Sequence, residues 1–229
     1  MLVSIIIPCF NEKDYIEIVI EKILKLQNIA KEIIIVDDHS TDGTREILEQ
    51  KLKNKVSKII FSPKNQGKGS AIKLGIEHAT GDIILIQDAD LEYDPNDYHQ
   101  LLAPFIDNDA DAVYGSRFTD NKKRRVIYFL NTIANKILTF LTNCFLNLNF
   151  TDVETGYKLF KRELVQDINI KEKGFGFEIE LTMKLARKNI KFYEVGVSYS
   201  GRSYQEGKKI KKRHFFEAIY CIFKYRFLS

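Results

Sequence analysis

The chain has 229 residues, 45% of them hydrophobic and 29% charged, and a net charge of +4. That composition is ordinary for a globular protein, and the length suits one large domain, or one domain with an appendage, around a substantial core. Three cysteines, Cys9, Cys144 and Cys221, are too far apart and too few for a disulfide framework or a Cys/His metal site, and they read as reduced thiols of a cytosolic protein.

Residues 2–8 read as a strand entered at once, with no basic leader or cleavage site, so no signal peptide is expected. A helix follows over 12–27, with Ile16, Val19, Ile20, Ile23 and Leu24 on one face and Asn11 as its cap. Lys31–Asp37 reads as a strand, Gly43–Lys53 as a helix, Val56–Phe61 as a strand and Lys68–His78 as a helix. Asp82–Gln87 is a strand, Pro95 opens a helix to about Asp107, and Ala110–Gly115 is a further strand. Continuous aliphatic strands between helices predict an α/β fold, a mostly parallel sheet covered by helices on both faces.

The second half changes character. Val126–Leu148 has helical apolar spacing through Ile127, Leu130, Ile133, Ala134, Ile137, Leu138, Leu141, Cys144, Phe145 and Leu148. Its other face carries Asn131, Asn135, Lys136, Thr139, Asn143 and Asn147, which is too polar for a membrane span. It is expected to be an amphipathic helix that packs its apolar side on the domain or lays it on a membrane. Phe175–Lys188 reads as a helix and Lys191–Tyr199 as a strand. Residues 201–229 hold eight Lys/Arg against Glu206 and Glu217, so this tail is +6 and the other 200 residues are −2. Residues 1–200 are expected to form the main domain, divided near 118, with 201–229 as a basic extension.

The aliphatic run Ile83–Ile86 ends in Gln87-Asp88-Ala89-Asp90. Residues i and i+2 of extended chain point to one side, so Asp88 and Asp90 can converge beyond the strand, where ligands of open α/β sheets bind. Two hard carboxylates there suit Mg²⁺ or Mn²⁺ with substrate phosphates; a polar turn closing the strand is the bland alternative. Three more strand ends carry polar loops: Pro8–Glu12, Asp37–Thr44 and Asn65–Gly69. Asp37 or Asp38 could accept hydrogen bonds from a base or ribose, although capping and a tight turn account for Ser40–Gly43. Gly67-Lys68-Gly69 would let backbone and a cation approach a phosphate, without P-loop spacing.

Together these segments resemble glycosyltransferase family 2, inverting enzymes of the GT-A fold. Ser4–Glu12, Ile33–Thr44, Asn65–Gly75 and Gly81–Pro95 match its nucleotide-sugar half. Gly115–Phe118, Thr151–Lys161, Phe175–Glu178 and Gly201–Lys209 resemble the polyprenyl-phosphate branch, which includes dolichol-phosphate mannose synthases. The resemblance implies that Pro8, Phe10, Glu12 and Asp37 hold the base and ribose, that Asp88 and Asp90 bind the metal with Glu92 as a third ligand, and that Arg117 faces phosphate. The donor would be GDP-mannose or UDP-glucose, and the acceptor a polyprenyl phosphate.

A phosphate acceptor has a second pKa of about 6, so it is already an anionic nucleophile and needs no base. It does need cations, and Arg117, Arg124, Arg125 and Arg202 are the supply, although Lys122–Arg125 also reads as a solvated loop. Glu178 is the carboxylate to consider if the acceptor is instead a glycan hydroxyl, and equally an acid favoured at a helix start. A sugar nucleotidyltransferase would carry a Gly-rich, Arg-containing loop after the first strand, and Pro8–Glu12 is not one. The tail, with Phe215, Phe216, Ile219, Tyr220, Ile222, Phe223 and Phe227 among its cations, carries no nucleic-acid motif. It reads as a helix on an anionic membrane or as a docked helix with a wet edge. The expected location is peripheral, on the cytoplasmic face of a membrane.

Overall fold

The computed structural model describes residues 1–119, 123–126, 128–203, 205–207 and 212–228. Lys122, Ile127, Tyr204, Lys208, Lys209 and Lys211 of the sequence reading lie outside them. The chain runs β1 (Leu2–Cys9), α1 (Ile16–Lys25), β2 (Ala30–Asp37), α2 (Thr44–Ile47), β3 (Lys58–Phe61), α3 (Lys68–His78) and β4 (Ile83–Ile86). It continues through α4 (Tyr98–Asp107), β5 (Ala112–Ser116), α5 (Phe129–Leu146), β6 (Lys158–Lys161), α6 (Arg162–Val165), α7 (Phe177–Ala186), β7 (Phe192–Gly196) and α8 (Lys212–Phe227). The strands form one seven-stranded sheet in the order β3-β2-β1-β4-β6-β5-β7.

All neighbours pair parallel except β6, which runs antiparallel to both β4 and β5. This strand is absent from the sequence reading, because four residues with a lysine at each end (Lys158 and Lys161) carry no aliphatic run. The sheet is covered on both faces as the aliphatic strands predict. Along β1 the side chains alternate: Ile6 packs with Ile72 of α3 and Ile179 of α7, while Ile5 and Ile7 pack with Ile16 and Ile20 of α1. Each such buried side chain contributes about 1.5–3 kcal/mol through loss of water contact.

Two local expectations change. Asn11 does not cap α1: it has φ 53°, and the helix starts at Ile16 after Tyr15. Its amide N–H donates to Ser40 Oγ (2.9 Å) and its Oδ1 accepts from Thr41 N–H (2.8 Å), so it ties two strand-end loops together instead. The helix expected over 43–53 relaxes after Ile47 into wider π turns at Leu48–Leu52.

Helix α5, expected to turn its apolar side to the domain or to a membrane, turns much of that side outward. Its buried residues are Asn135, Leu138, Thr139 and Thr142, whereas Phe129 (76%), Leu130 (72%) and Phe140 (65%) are exposed, with Ile133 and Ile137 also in solvent. The reason is a buried acid: Asn135 Nδ2 donates to Asp152 Oδ1 at 2.9 Å, and Thr139 Oγ1 accepts from Val153 N–H at 3.3 Å. Leaving those groups unpaired inside would cost more than exposing the aliphatic stripe. At its far end Phe145 meets Phe223 and Phe227 of α8. Helix α8 docks, placing Ala218, Cys221, Ile222 and Tyr225 in the core.

Candidate active site

The C-terminal ends of β1, β2 and β4 open on one edge of the sheet, and the polar loops meet there. β1 and β2 run in register to Cys9 opposite Asp37. Asp37 is fully buried, accepting from Arg45 Nε at 2.8 Å and from Ser40 N–H at 3.3 Å. Asp38 accepts from the N–H groups of Gln66 (2.8 Å) and Gly67 (2.6 Å), so it holds the turn that starts α3. Gly67 has φ 95°, and an added Cβ would lie 2.5 Å from Lys173 O, so a side chain is excluded twice over. Arg45, which stacks over Phe61, was not singled out in the sequence.

From that turn Lys68 reaches across the edge. Its Nζ lies 2.7 Å from Asp88 Oδ1 and 3.1 Å from Glu178 Oε1, between the Phe175 and Phe177 rings. Burial works against its charge, but the two carboxylates outweigh it and hold the ammonium above its ordinary range. Glu178 is buried in the first turn of α7, with the buried Lys158 ammonium 3.9 Å away.

Asp90 belongs to a second charge group. Arg202 donates to Glu12 at 3.0 and 3.2 Å and to Asp90 Oδ2, and its Nε lies 3.6 Å from Glu92 Oε1. Glu92 accepts from Tyr199 OH and from Arg202 N–H, both at 2.8 Å. Burial, with the charges of Asp88 and Glu92, pushes Asp90 up to about 7 against the pull of Arg202. Pro8 and Phe10 line the end of β1, half-buried. Beside them an open cleft of about 360 Å³ is bounded by residues 11–15, Arg202 and residues 205–207.

Arg117 stands apart from Arg202. Its Nε and Nη2 donate to the two oxygens of buried Asp152 at 2.6 and 2.7 Å, and its backbone N–H reaches Asp152 Oδ2 at 3.1 Å. Among the described residues, Nη1 meets no acceptor. Burial opposes the Asp152 charge, but Arg117 holds this carboxyl below the usual range. The Tyr199 ring, 5.2 Å from the Arg117 guanidinium, bridges to Glu92 and so to the Asp90 group. Arg124 and Arg125 are exposed at the rim; Arg125 donates to Glu206 Oε2 at 2.7 Å, and Arg124 bridges to Tyr199. The four arginines are therefore divided between the strand-end acids, a buried pair and the surface. Asp152 and Lys158, central here, carried no separate signal beyond the segment that contains them.

The donor chemistry fits a divalent cation. Asp88 and Asp90 offer hard oxygens, and the protein already balances them with an ammonium and a guanidinium. Among the described residues no three acidic, His or Cys side chains converge on one point, and Glu92 is turned to Tyr199 and Arg202. Two carboxylates plus substrate phosphates suffice for Mg²⁺.

A family model described as Glycosyl transferase family 2 matches residues 4–168. The chain is 30% identical over 201 residues to Glycosyltransferase AglJ of Haloferax volcanii, covering 87% of this chain and 63% of that protein. It is 29% identical over 227 residues to a dolichol-phosphate mannosyltransferase of Pyrococcus furiosus, covering 98% and 63%. The chain thus spans under two thirds of the length of both relatives. Its fold is GT-A: it superposes on glucosyl-3-phosphoglycerate synthase of Mycobacterium tuberculosis, in complex with Mn²⁺, UDP and phosphoglyceric acid, with TM-score 0.77, 19% identity, and coverage of 100% of this chain and 79% of that one.

Proposed function

Since the chain belongs to glycosyltransferase family 2, we propose that it transfers a hexose from a nucleotide sugar to a polyprenyl phosphate, inverting the anomeric carbon, at the cytoplasmic face of a membrane. The observation that carries this reading is the pairing of strand-end acids with a separate buried arginine. Asp88 and Asp90 sit at the strand end against Lys68 and Arg202, while Arg117, gripped by Asp152 through Nε and Nη2, keeps Nη1 without an acceptor among the described residues. The likeness to a dolichol-phosphate mannosyltransferase supports the lipid-phosphate branch. The 1–118 nucleotide-sugar half, the 119–200 acceptor half and the 201–229 extension remain the working division.

Asp88 and Asp90 would hold Mg²⁺ or Mn²⁺, which when bound supplies positive charge for the departing diphosphate. Lys68 orients Asp88 and adds a cation beside the phosphates. Pro8, Phe10, Glu12 and Asp37 would border the base and ribose. Arg117 would orient the acceptor phosphate, with Arg124 and Arg125 at the entrance. A thermal-shift series with GDP-mannose and UDP-glucose, each with Mn²⁺, tests the donor, because a ligand of the folded state raises its stability. A shift with neither nucleotide sugar would remove the donor assignment.

Arg202 competes with the metal for Asp90. Arg202→Ala is expected to tighten Mn²⁺ binding by about tenfold, the scale of one charge-assisted hydrogen bond, while transfer falls. Calorimetric titration with Mn²⁺ reads this directly, and an unchanged affinity would end the competition model.

Membrane contact is proposed through the outward face of α5 and the exposed edge of α8. Phe129, Leu130 and Phe140 join Phe216 and Phe227 as exposed apolar side chains, with Arg213 and Arg226 in solvent nearby in the chain. Among the described residues no helix is long and apolar enough to cross a membrane. Flotation should show binding to anionic vesicles, weaker binding to neutral ones, and release by salt, which screens exposed charges over ~8 Å at physiological strength. Leu130→Glu with Phe140→Glu should abolish flotation and leave nucleotide binding intact. Point changes suit this test better than deleting α8, whose residues build the core. Vesicle binding unaffected by the pair would move the contact elsewhere.

A further inference from the structure

Glu154 is an acidic residue outside the roles assigned so far. It lies in the turn between Asp152, which braces Arg117, and Gly156, where an added Cβ would come within 2.4 Å of Asp88 Oδ2. The turn therefore joins the acceptor-side arginine to the donor-side acid. Glu154 is half-buried as a residue, but its Oε1 is shut off from solvent and has no hydrogen-bond partner among the described residues. The nearby cation is committed elsewhere: Lys158 Nζ donates to the carbonyls of Val153 (2.9 Å) and Thr155 (2.5 Å) and lies 3.9 Å from Glu178.

An ionised oxygen without a partner in such a place is costly, and the charge is relieved by taking up a proton. A carboxylic acid tolerates the arrangement, with Oε1 as its carbonyl and the O–H on Oε2. Burial and the charge of Glu178 push Glu154 up to about 8, against Lys158 and Arg117. A neutral acid donates a hydrogen bond, and what it meets best is an anionic oxygen.

The geometry points to Glu154 as a substrate-contacting residue that donates, through Oε2, to a phosphate oxygen of the acceptor held by Arg117. This rests on the acceptor reading above and adds a second, uncharged donor to the phosphate site. Acceptor affinity then has two pH limbs. It falls on the acid side, as the phosphate takes its second proton near a pKa of about 6. It falls again above about 8, as Glu154 ionises and repels the ligand. The charged groups around Glu154 are Glu178 from α7, Lys158 from β6, Arg117 after β5 and Asp152 from its own turn.

The test is equilibrium binding of citronellyl phosphate, and separately of GDP and UDP with Mn²⁺, from pH 6 to 9.5. Glu154→Ala should weaken the prenyl phosphate by about tenfold, one hydrogen bond to a charged group, and leave the nucleotides unchanged. Glu154→Gln, whose amide still donates, should bind within about threefold of the parent chain, a few tenths of a kcal/mol, and should lose the alkaline limb. A Gln variant as weak as the Ala variant would overturn the neutral-donor role. An alkaline limb surviving in Gln would assign that titration to Lys158, and weakening of the nucleotides alone would place the contact on the donor diphosphate; either overturns the proposal. Absence of prenyl-phosphate binding by the parent chain would bring down the acceptor reading and this inference together. Binding indifferent to residue 154 would bring down this inference alone.

Discussion

Replacing Asp90 by Asn is expected to cut hexosyl transfer by about 10²–10³-fold, the scale seen when a group stabilising transition-state charge is lost. Mn²⁺-dependent nucleotide binding should fall with it. Folding should survive, and the pH dependence shows why. Asp90 has a native pKa raised to about 7, above its ordinary value, so the native state holds this proton more tightly than the unfolded chain does. Its contribution to stability is therefore best at low pH and falls as pH rises toward 7. Asn removes that dependence, so the variant's Tm should change less than the parent's between pH 5 and 8. The cost is an Arg202 short of one acceptor, although Glu12 and Glu92 remain. Full transfer in EDTA, or an Asp90→Asn enzyme as active as its parent, would sink the metal-dependent reading.

Arg117→Lys is expected to lower transfer to a lipid phosphate by about 10–100-fold, the worth of 1.5–3 kcal/mol in a hydrogen bond to a charged group, with donor binding little changed. Lysine keeps the charge but not the fork that grips Asp152 with two nitrogens and leaves a third for the substrate. Arg117→Ala is the harsher change, because it strands Asp152 in the core at a cost of about 3–5 kcal/mol of stability. The transfer rate should also decline toward acid pH, as the acceptor phosphate protonates near about 6. The glycan-acceptor alternative gives the opposite pattern. Arg117→Lys would be mild, and Glu178→Gln would abolish both activity and the acid limb, since a hydroxyl acceptor needs a base. Glu178 is held by Lys68 at 3.1 Å, so under the phosphate reading Glu178→Gln should act mainly by loosening Lys68 and Asp88.

Much of the site was open to reading because its parts are local. Asp88 and Asp90 follow a four-residue aliphatic strand, and the pleat alone puts them on one side. Gly67-Lys68-Gly69 announces a close backbone approach before a helix. Asp38 shows the limit of such reading: it sits at a strand end as a ligand-binding acid would, yet it spends both oxygens on the N–H groups of Gln66 and Gly67. Arg202 shows another. The need of a phosphate acceptor for cations put it with that phosphate, and the fold sets it against Glu12, 190 positions away.

By itself the amino-acid sequence determined the parallel α/β core, helices on both faces, and an acid-lined edge at the ends of β1, β2 and β4. Hydrophobic periodicity and turn chemistry are properties of neighbouring residues, and they survive folding unchanged. Only the tertiary structure decided the rest: the antiparallel β6 inserted between β4 and β5, the partner of each buried charge, and the side of α5 that meets solvent. These are contests between distant groups. Asp152, gripped by Arg117, also accepts from Asn135, and that contact turns the polar side of α5 inward. Buried polar groups left without partners cost free energy, and the competing groups meet only once the chain is folded.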